Sequence, residues 1–346
     1  MKISAKIRDF IRIFAAVMEL ITDIVLFLVG LTLIVKGADW LTDGAASIAR
    51  RFGIPTLVIG LTIVAIGTSA PEFVVSMLGA IHKSPDIAIG NVVGSNIFNI
   101  LGMMGATALI SPILLTRGNV MRDLPIMNIA VGALFVLLAD KILNPEMTQN
   151  YLSRADGIIL LCLFSIYMYY TIWLAKKGKK AEKENSENQV KAPQRNVWLS
   201  ILLFLFGLGC LIGGGELMVD GASGIARSLG VSDAIIALTI VSIGTSAPEL
   251  ATSIAAARKG DNAMAVGNVV GSVVFNTLLI LGASSLVYPL PMKGITYIDL
   301  SVEMGAALLF WLFSYIGRKR FIITRLEGCI MVMLQIAYYV WLVINK

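Results

Sequence analysis

The chain has 346 residues, of which 57% are hydrophobic and 14% charged, with a mean hydropathy of +0.83. A soluble domain carries about 25% charged residues, so this composition excludes an ordinary globular protein and implies a polytopic, all-α membrane protein. The net charge of +6 implies no nucleic-acid partner, because the basic residues fall in short loops between apolar runs, where positive charge orients a membrane protein.

The first residues, 1–19, place Ile3, Ile7, Phe10, Ile11 and Phe14 at helical spacing, with Lys2, Lys6, Arg8 and Arg12 largely on other faces. That is the pattern of an interfacial amphipathic extension; an equal reading is that translation starts at Met18. Apolar runs of bilayer-spanning length then follow at about 20–36, 57–81, 86–112, 124–140, 155–175, 197–213, 234–257, 263–288, 296–316 and 326–344, predicting ten transmembrane helices. The polar segment 176–196 joins two five-helix halves, 20–175 and 197–346, and reads as a hydrophilic linker. Loops after odd-numbered spans hold 18 Lys and Arg against 10 on the other side. The odd side is therefore cytoplasmic and both termini face out, in the cell (inner) membrane.

Cys162, Cys210 and Cys329 lie within apolar segments without metal-ligand spacing, and buried packing is the expectation. The single histidine, His82, stands at a span end. No zinc or haem motif and no nucleophile–base pair is present, so neither a cofactor nor an enzyme activity is expected.

Residues 30–106 align with 207–283 at a constant offset of 177, without a gap and with 36 of 77 positions identical. Five spans separate equivalent points, so the second copy crosses the membrane in the opposite sense. Inverted repeats favour secondary transporters, with a site near the midplane between halves; channels also contain them.

Each copy contains GTSAPE, at Gly67–Glu72 and Gly244–Glu249. Thr68, Ser69 and Glu72 gather on one helical face, with Ser76 one turn further; Thr245, Ser246, Glu249 and Ser253 repeat the arrangement. Pro71 and Pro248 lack an N–H and free carbonyls one turn back. The next span of each half carries a polar stripe, Asn91, Ser95 and Asn99, then Asn268, Ser272 and Asn276, beside glycines that allow close approach. Small and hydroxyl residues also glue membrane helices, and that reading stands beside the functional one for Asn91, Asn268, Ser76 and Ser253. It does not suit Glu72 and Glu249, because an intramembrane carboxylate is expensive and by default functional. Hard oxygen donors with two carboxylates suit Ca²⁺ or Na⁺ rather than zinc or copper. Asp39, Asp43, Glu216 and Asp220 read as loop or cap residues. Glu303 reads as a polar contact within the bundle, its counterpart at the same offset being Ile126.

GTSAPE followed by the glycine–asparagine stripe, twice in inverted halves, resembles the calcium/cation antiporter superfamily, most closely the prokaryotic sodium/calcium exchangers. The resemblance runs from about residue 20 to the end. It implies a sodium/calcium exchanger fold of ten helices, alternating access, and transported Ca²⁺ and Na⁺, with the lipid bilayer as a partner. It places the ion ligands on Glu72 and Glu249, on Thr68, Ser69, Thr245 and Ser246, on Ser95, Asn99, Ser272 and Asn276, and on the backbone carbonyls of Ala65 and Ser242. The first helix of each half is implied to slide across the core. Many relatives carry Asp where this chain has Asn276, and the amide argues against obligatory K⁺ cotransport. Val273 stands where the first half has Asn96, from which packing asymmetry is expected. Exchange of Ca²⁺ for Na⁺ is the leading expectation, with H⁺/Ca²⁺ exchange and a cation channel as alternatives.

Overall fold

The computed structural model describes residues 2–52, 54, 56–143, 146, 148–185, 196–228 and 242–345. It is almost entirely helical. Among the described residues eight helices are long and apolar enough to cross a membrane, or nine if the bent pair Gly60–Thr68 and Ala70–Ile81 is one span. The first part of the expected seventh span, 234–241, lies outside the described residues.

The two halves repeat the same elements at the spacing of 177. Pro85–Ile97 (α5) answers Asn262–Val274 (α13), and the π-helical stretch Phe98–Met103 answers Phe275–Ile280. Met104–Ile110 (α6) answers Leu281–Val287 (α14), and strand Ile113–Leu114 (β1) answers Leu290–Pro291 (β3). The remaining strands are Tyr151–Leu152 (β2) and Ile322–Ile323 (β4). β1 pairs antiparallel with β4, and β2 with β3. Each half thus clips the other, as a pseudo-two-fold relation requires.

Helices divide into an inner and an outer set. The most apolar 18-residue stretches within Pro85–Ile110 and Asn262–Val287 are 78% and 94% buried, whereas that within Val17–Ile48 is 11% buried. The outer helices therefore expose apolar residues such as Val25, Leu28, Leu202 and Phe206 toward the hydrocarbon, which is as apolar as they are.

The outermost pair is Lys2–Phe52 (α1) and Val197–Ser228 (α10). α1 is unbroken, so the amphipathic N-terminal segment and the first span share one helix that runs well past the expected end at 36. The pair is antiparallel, as equivalent helices of inverted halves must be. Contact runs along glycines spaced by seven, Gly30, Gly37 and Gly44 on one helix and Gly207, Gly214 and Gly221 on the other. A β-carbon on Gly37 would sit 2.8 Å from the Gly207 carbonyl oxygen, and one on Gly44 2.7 Å from the Ser200 carbonyl oxygen. Backbone therefore lies on backbone along this seam.

Several expectations are corrected. Asp39 and Asp43 lie within α1 rather than in a loop, and the Lys259 ammonium reaches their carboxylates at 3.4 and 3.2 Å. Glu216 and Asp220 lie within α10. Helix Arg154–Asn185 (α9) continues into the polar linker; 186–195 lie outside the described residues. Cys162 and Cys329 are exposed and Cys210 half-buried, because their helices present these faces to the outside of the bundle.

Candidate ion-binding site

Both GTSAPE segments break their helices instead of merely loosening them. Ala65–Thr68 (α3) ends at Ser69, whose φ and ψ are −82° and 11°, and Ala70–Ile81 (α4) starts with Pro71 in its first turn. In the second half Ser242–Thr245 (α11) ends at Ser246, with φ and ψ of −88° and 3°, before Ala247–Arg258 (α12). A proline costs nothing at the start of a helix, where its missing N–H has no partner to lose. The first-half break turns the chain by 56°. Each glutamate thus falls in the first turn of a new helix, where unpaired N–H groups and the helix dipole favour negative charge.

The halves interlock at these breaks. Ser69 Oγ donates to Glu249 Oε1 at 2.8 Å, and Ser246 Oγ donates to Glu72 Oε1 at 3.0 Å. Thr68 stands within hydrogen-bonding reach of Glu249, and Thr245 of Glu72. The Thr68 hydroxyl also lies 3.0 Å from the Val64 carbonyl oxygen. The Ala65 carbonyl accepts the Ser69 N–H at 3.0 Å and lies 3.4 Å from the Thr68 hydroxyl. Ser242 opens α11 at the equivalent backbone position.

The stripe residues divide into two roles. Asn91 Nδ2 donates to the Glu72 carbonyl oxygen at 3.2 Å and to Ser76 Oγ at 3.0 Å. Asn268 Nδ2 reaches the Glu249 carbonyl oxygen at 3.2 Å, Thr252 Oγ1 at 2.9 Å and Ser253 Oγ at 3.0 Å. These four expected candidates, Asn91, Asn268, Ser76 and Ser253, brace the carboxylate-bearing turns. Asn99 and Asn276 lie elsewhere, inside the two π-helical stretches. A π-turn inserts an extra residue per turn and is common at functional sites. The helix carrying Glu72 packs on the stretch carrying Asn276, and the helix carrying Glu249 on the stretch carrying Asn99.

What distinguishes this centre is its surplus of buried polar atoms. Glu72, Glu249, Ser69, Ser246, Ser95, Ser272, Asn99 and Asn276 are all 0% exposed. Glu72 Oε2, Glu249 Oε2, Ser95 Oγ, Ser272 Oγ, both polar atoms of Asn99, and Asn276 Oδ1 have no hydrogen-bond partner. An unpaired buried polar group costs about 1–3 kcal/mol. The orphans occupy equivalent positions in both halves, as a shared cation site between them would require. Among the described residues no three His, Cys, Asp or Glu side chains come together, so the fixed charge here is a carboxylate pair supplemented by neutral oxygens.

Glu303 is a polar contact within the bundle, as expected, but the sequence does not place it beside the centre. Asn276 Nδ2 donates to Asn96 Oδ1 at 3.2 Å, and Asn96 Nδ2 donates to Glu303 Oε1 at 2.7 Å and Thr277 Oγ1 at 2.9 Å. The exchange of Asn96 for Val273 is therefore more than a packing difference. It was the available signal, as the one polar-to-apolar change inside an otherwise conserved-looking duplicated stripe.

An inverted-repeat helical bundle enclosing a buried carboxylate pair between broken helices defines a polytopic membrane protein of the secondary-transporter class. The family described as sodium/calcium exchanger protein matches residues 22–173 and 199–344. The chain belongs to that family of membrane antiporters. It is 38% identical over 313 residues to the putative antiporter CaxA of Alkalimonas amylolytica, covering 90% of this chain and 95% of that one. It is 30% identical over 344 residues to the sodium/calcium exchanger MaX1 of Methanosarcina acetivorans, covering 92% and 97%. A solved structure of the sodium-calcium exchanger NCX_Mj, soaked without Na⁺ and Ca²⁺, matches with a TM-score of 0.77 at 34% identity. That match covers 93% of this chain and 99% of that chain.

Proposed function

We propose that this chain exchanges Ca²⁺ for Na⁺ across the cell (inner) membrane by alternating access around a single centre between its halves. The observation that carries this reading is the reciprocal pair of bonds from Ser69 to Glu249 and from Ser246 to Glu72, surrounded by orphaned oxygens. Each half contributes one carboxylate, so the two charges of a divalent cation are balanced only where the halves meet. Several Na⁺ ions would compete for the same oxygens, which makes binding of the two cargoes mutually exclusive and couples their movement.

The ligand set in this reading comprises Glu72, Glu249, Thr68, Ser69, Thr245, Ser246, Ser95, Asn99, Ser272 and Asn276, with the backbone carbonyls of Ala65 and Ser242. All are hard oxygen donors, as Ca²⁺ and Na⁺ prefer. The architecture in this reading has ten spans in two five-helix repeats, 20–175 and 197–346, flanked by the 1–19 extension and the 176–196 linker, with both termini outside. Access switches when α1 and α10 move together over the inner helices. The backbone-to-backbone glycine seam supports their moving as one body.

The test is ⁴⁵Ca²⁺ uptake into proteoliposomes loaded with Na⁺, K⁺ or acid. Uptake driven by an outward Na⁺ gradient supports the proposal. Uptake driven equally by a proton gradient without Na⁺ identifies H⁺ as the counter-ion and overturns it. Conductive flux without any counter-ion makes the protein a channel.

A further inference from the structure

Asn276 lies in the π-helical stretch that packs on the helix carrying Glu72, and its amide has an oxygen end and a nitrogen end. Which end points inward decides whether it offers an oxygen to a cation or a positive N–H₂ edge. Its Nδ2 donates to Asn96 Oδ1 at 3.2 Å, so its Oδ1 is the end left without a partner. Asn96 can present Oδ1 to Asn276 only because its own Nδ2 is taken up on the far side. There Glu303 Oε1 and Thr277 Oγ1 lie at 2.7 and 2.9 Å. All four side chains are buried, so water offers no alternative partner.

We infer that Glu303 is a positioning residue for the ion site: through Asn96 it fixes the Asn276 amide with its oxygen toward the cation. This rests on the reading of Asn276 as a ligand. The chain of donors runs in one direction only, from Asn276 through Asn96 to a carboxyl oxygen that ends it as an acceptor. A charge-assisted acceptor is the strongest available terminus for such a chain.

Comparison of the halves sharpens the assignment. In the first half Asn99 has neither amide atom paired, and the position equivalent to Asn96 is Val273, which offers no polar group. The capping residues set the register of the later helices. Thr116 contacts Asn119 Oδ1 through N and Oγ1 at 2.8 and 2.7 Å, as Thr296 contacts Asp299 Oδ2 at 2.8 and 2.9 Å. The halves are therefore offset by 180 here, not 177, and Glu303 corresponds to Asp123 instead of Ile126. Asp123 is engaged by Arg122 Nε at 2.8 Å and Asn119 Nδ2 at 3.1 Å. Only the second-half carboxyl is directed through an amide toward the centre. Asp299, one helical turn before Glu303, accepts the Tyr338 hydroxyl at Oδ1 at 2.8 Å.

A double-mutant cycle tests this. With Glu303→Gln the chain loses its charged terminus, and apparent Ca²⁺ affinity in Na⁺-driven proteoliposome uptake falls about tenfold. With Asn276→Asp the introduced carboxylate accepts instead of donating, so Asn96 must turn its Nδ2 toward position 276 and its Oδ1 toward residue 303. A glutamate there opposes that turn, whereas a glutamine donates into it. Adding Glu303→Gln to Asn276→Asp therefore leaves affinity unchanged or raises it. A loss of equal size in both backgrounds overturns the inference, because removal of a distant negative charge or a general packing defect acts in each alike. Glu72→Gln is run alongside. If it transports normally, the ion-site reading itself fails; if it is inactive and the cycle is additive, only the positioning role fails.

Discussion

Ser69 Oγ lies 2.8 Å from Glu249 Oε1, so the hydroxyl of one repeat is hydrogen-bonded to the carboxylate of the other. The inverse bond, from Ser246 to Glu72, is 3.0 Å long. Each glutamate is consequently held by a residue of the opposite half. Replacing either serine by alanine removes a bond to a charged acceptor, worth about 1.5–3 kcal/mol. Ser69→Ala and Ser246→Ala are expected to weaken apparent Ca²⁺ affinity by about tenfold or more, and by similar factors. A large inequality between them in concentration-dependent uptake would show that the halves do not contribute symmetrically.

The braces behind the glutamates belong to stability first. Asn268 makes three side-chain contacts around the Glu249 turn where Asn91 makes two around Glu72. Buried polar partners left unsatisfied cost about 1–3 kcal/mol each. Asn268→Ala is expected to lower the unfolding midpoint in detergent more than Asn91→Ala. Fluorescence-detected melting of the two purified variants checks the order.

The glycine seam admits no side chain. Gly37→Val would push α1 and α10 apart against the Gly207 carbonyl, with an overpacking cost of about 1–3 kcal/mol. Because the proposed ion ligands lie elsewhere, equilibrium Ca²⁺ binding is expected to persist while the exchange rate falls. Calorimetric binding measured beside uptake separates the two; loss of both together would place the seam in the binding site's own support.

The turn between the second and third helices of the first half carries Lys83 at a φ of 57°, where the second half uses Gly260 at 79°. A side chain in the left-handed region costs about 1–2 kcal/mol. Lys83→Gly is expected to raise the unfolding midpoint without altering uptake, since residue 83 is exposed at the helix end. An unchanged or lower midpoint would mean that the lysine side chain earns its place through a surface contact.

The duplicated motifs made the centre legible, because a polar cluster repeated inside apolar sequence has few uses other than a shared site. Helical periodicity alone puts Glu72, Ser69 and Thr68 on one face. It did not reveal that Pro71 and Pro248 begin new helices, since the same residues suit a kink or a start. The π-helical stretches around Asn99 and Asn276 were also invisible, because Phe98–Met103 and Phe275–Ile280 fit an ordinary α-helical pattern. The Asn96–Glu303 contact escaped for a different reason. It joins residues 207 apart, and the register between halves shifts by three beyond the gapless alignment. Charge in an apolar chain suggests a span end, hence a loop or cap at Asp39 and Asp43, yet α1 extends through them to Phe52.

The most direct test of the account is Na⁺-driven ⁴⁵Ca²⁺ uptake by Glu72→Gln and Glu249→Gln, each purified and reconstituted beside the unaltered protein. The substitution keeps shape and removes one of the two charges that a divalent cation requires. The account predicts monodisperse, folded proteins with uptake at background in both. Normal uptake in both single variants would contradict it, and would move the ion path away from the buried carboxylate pair.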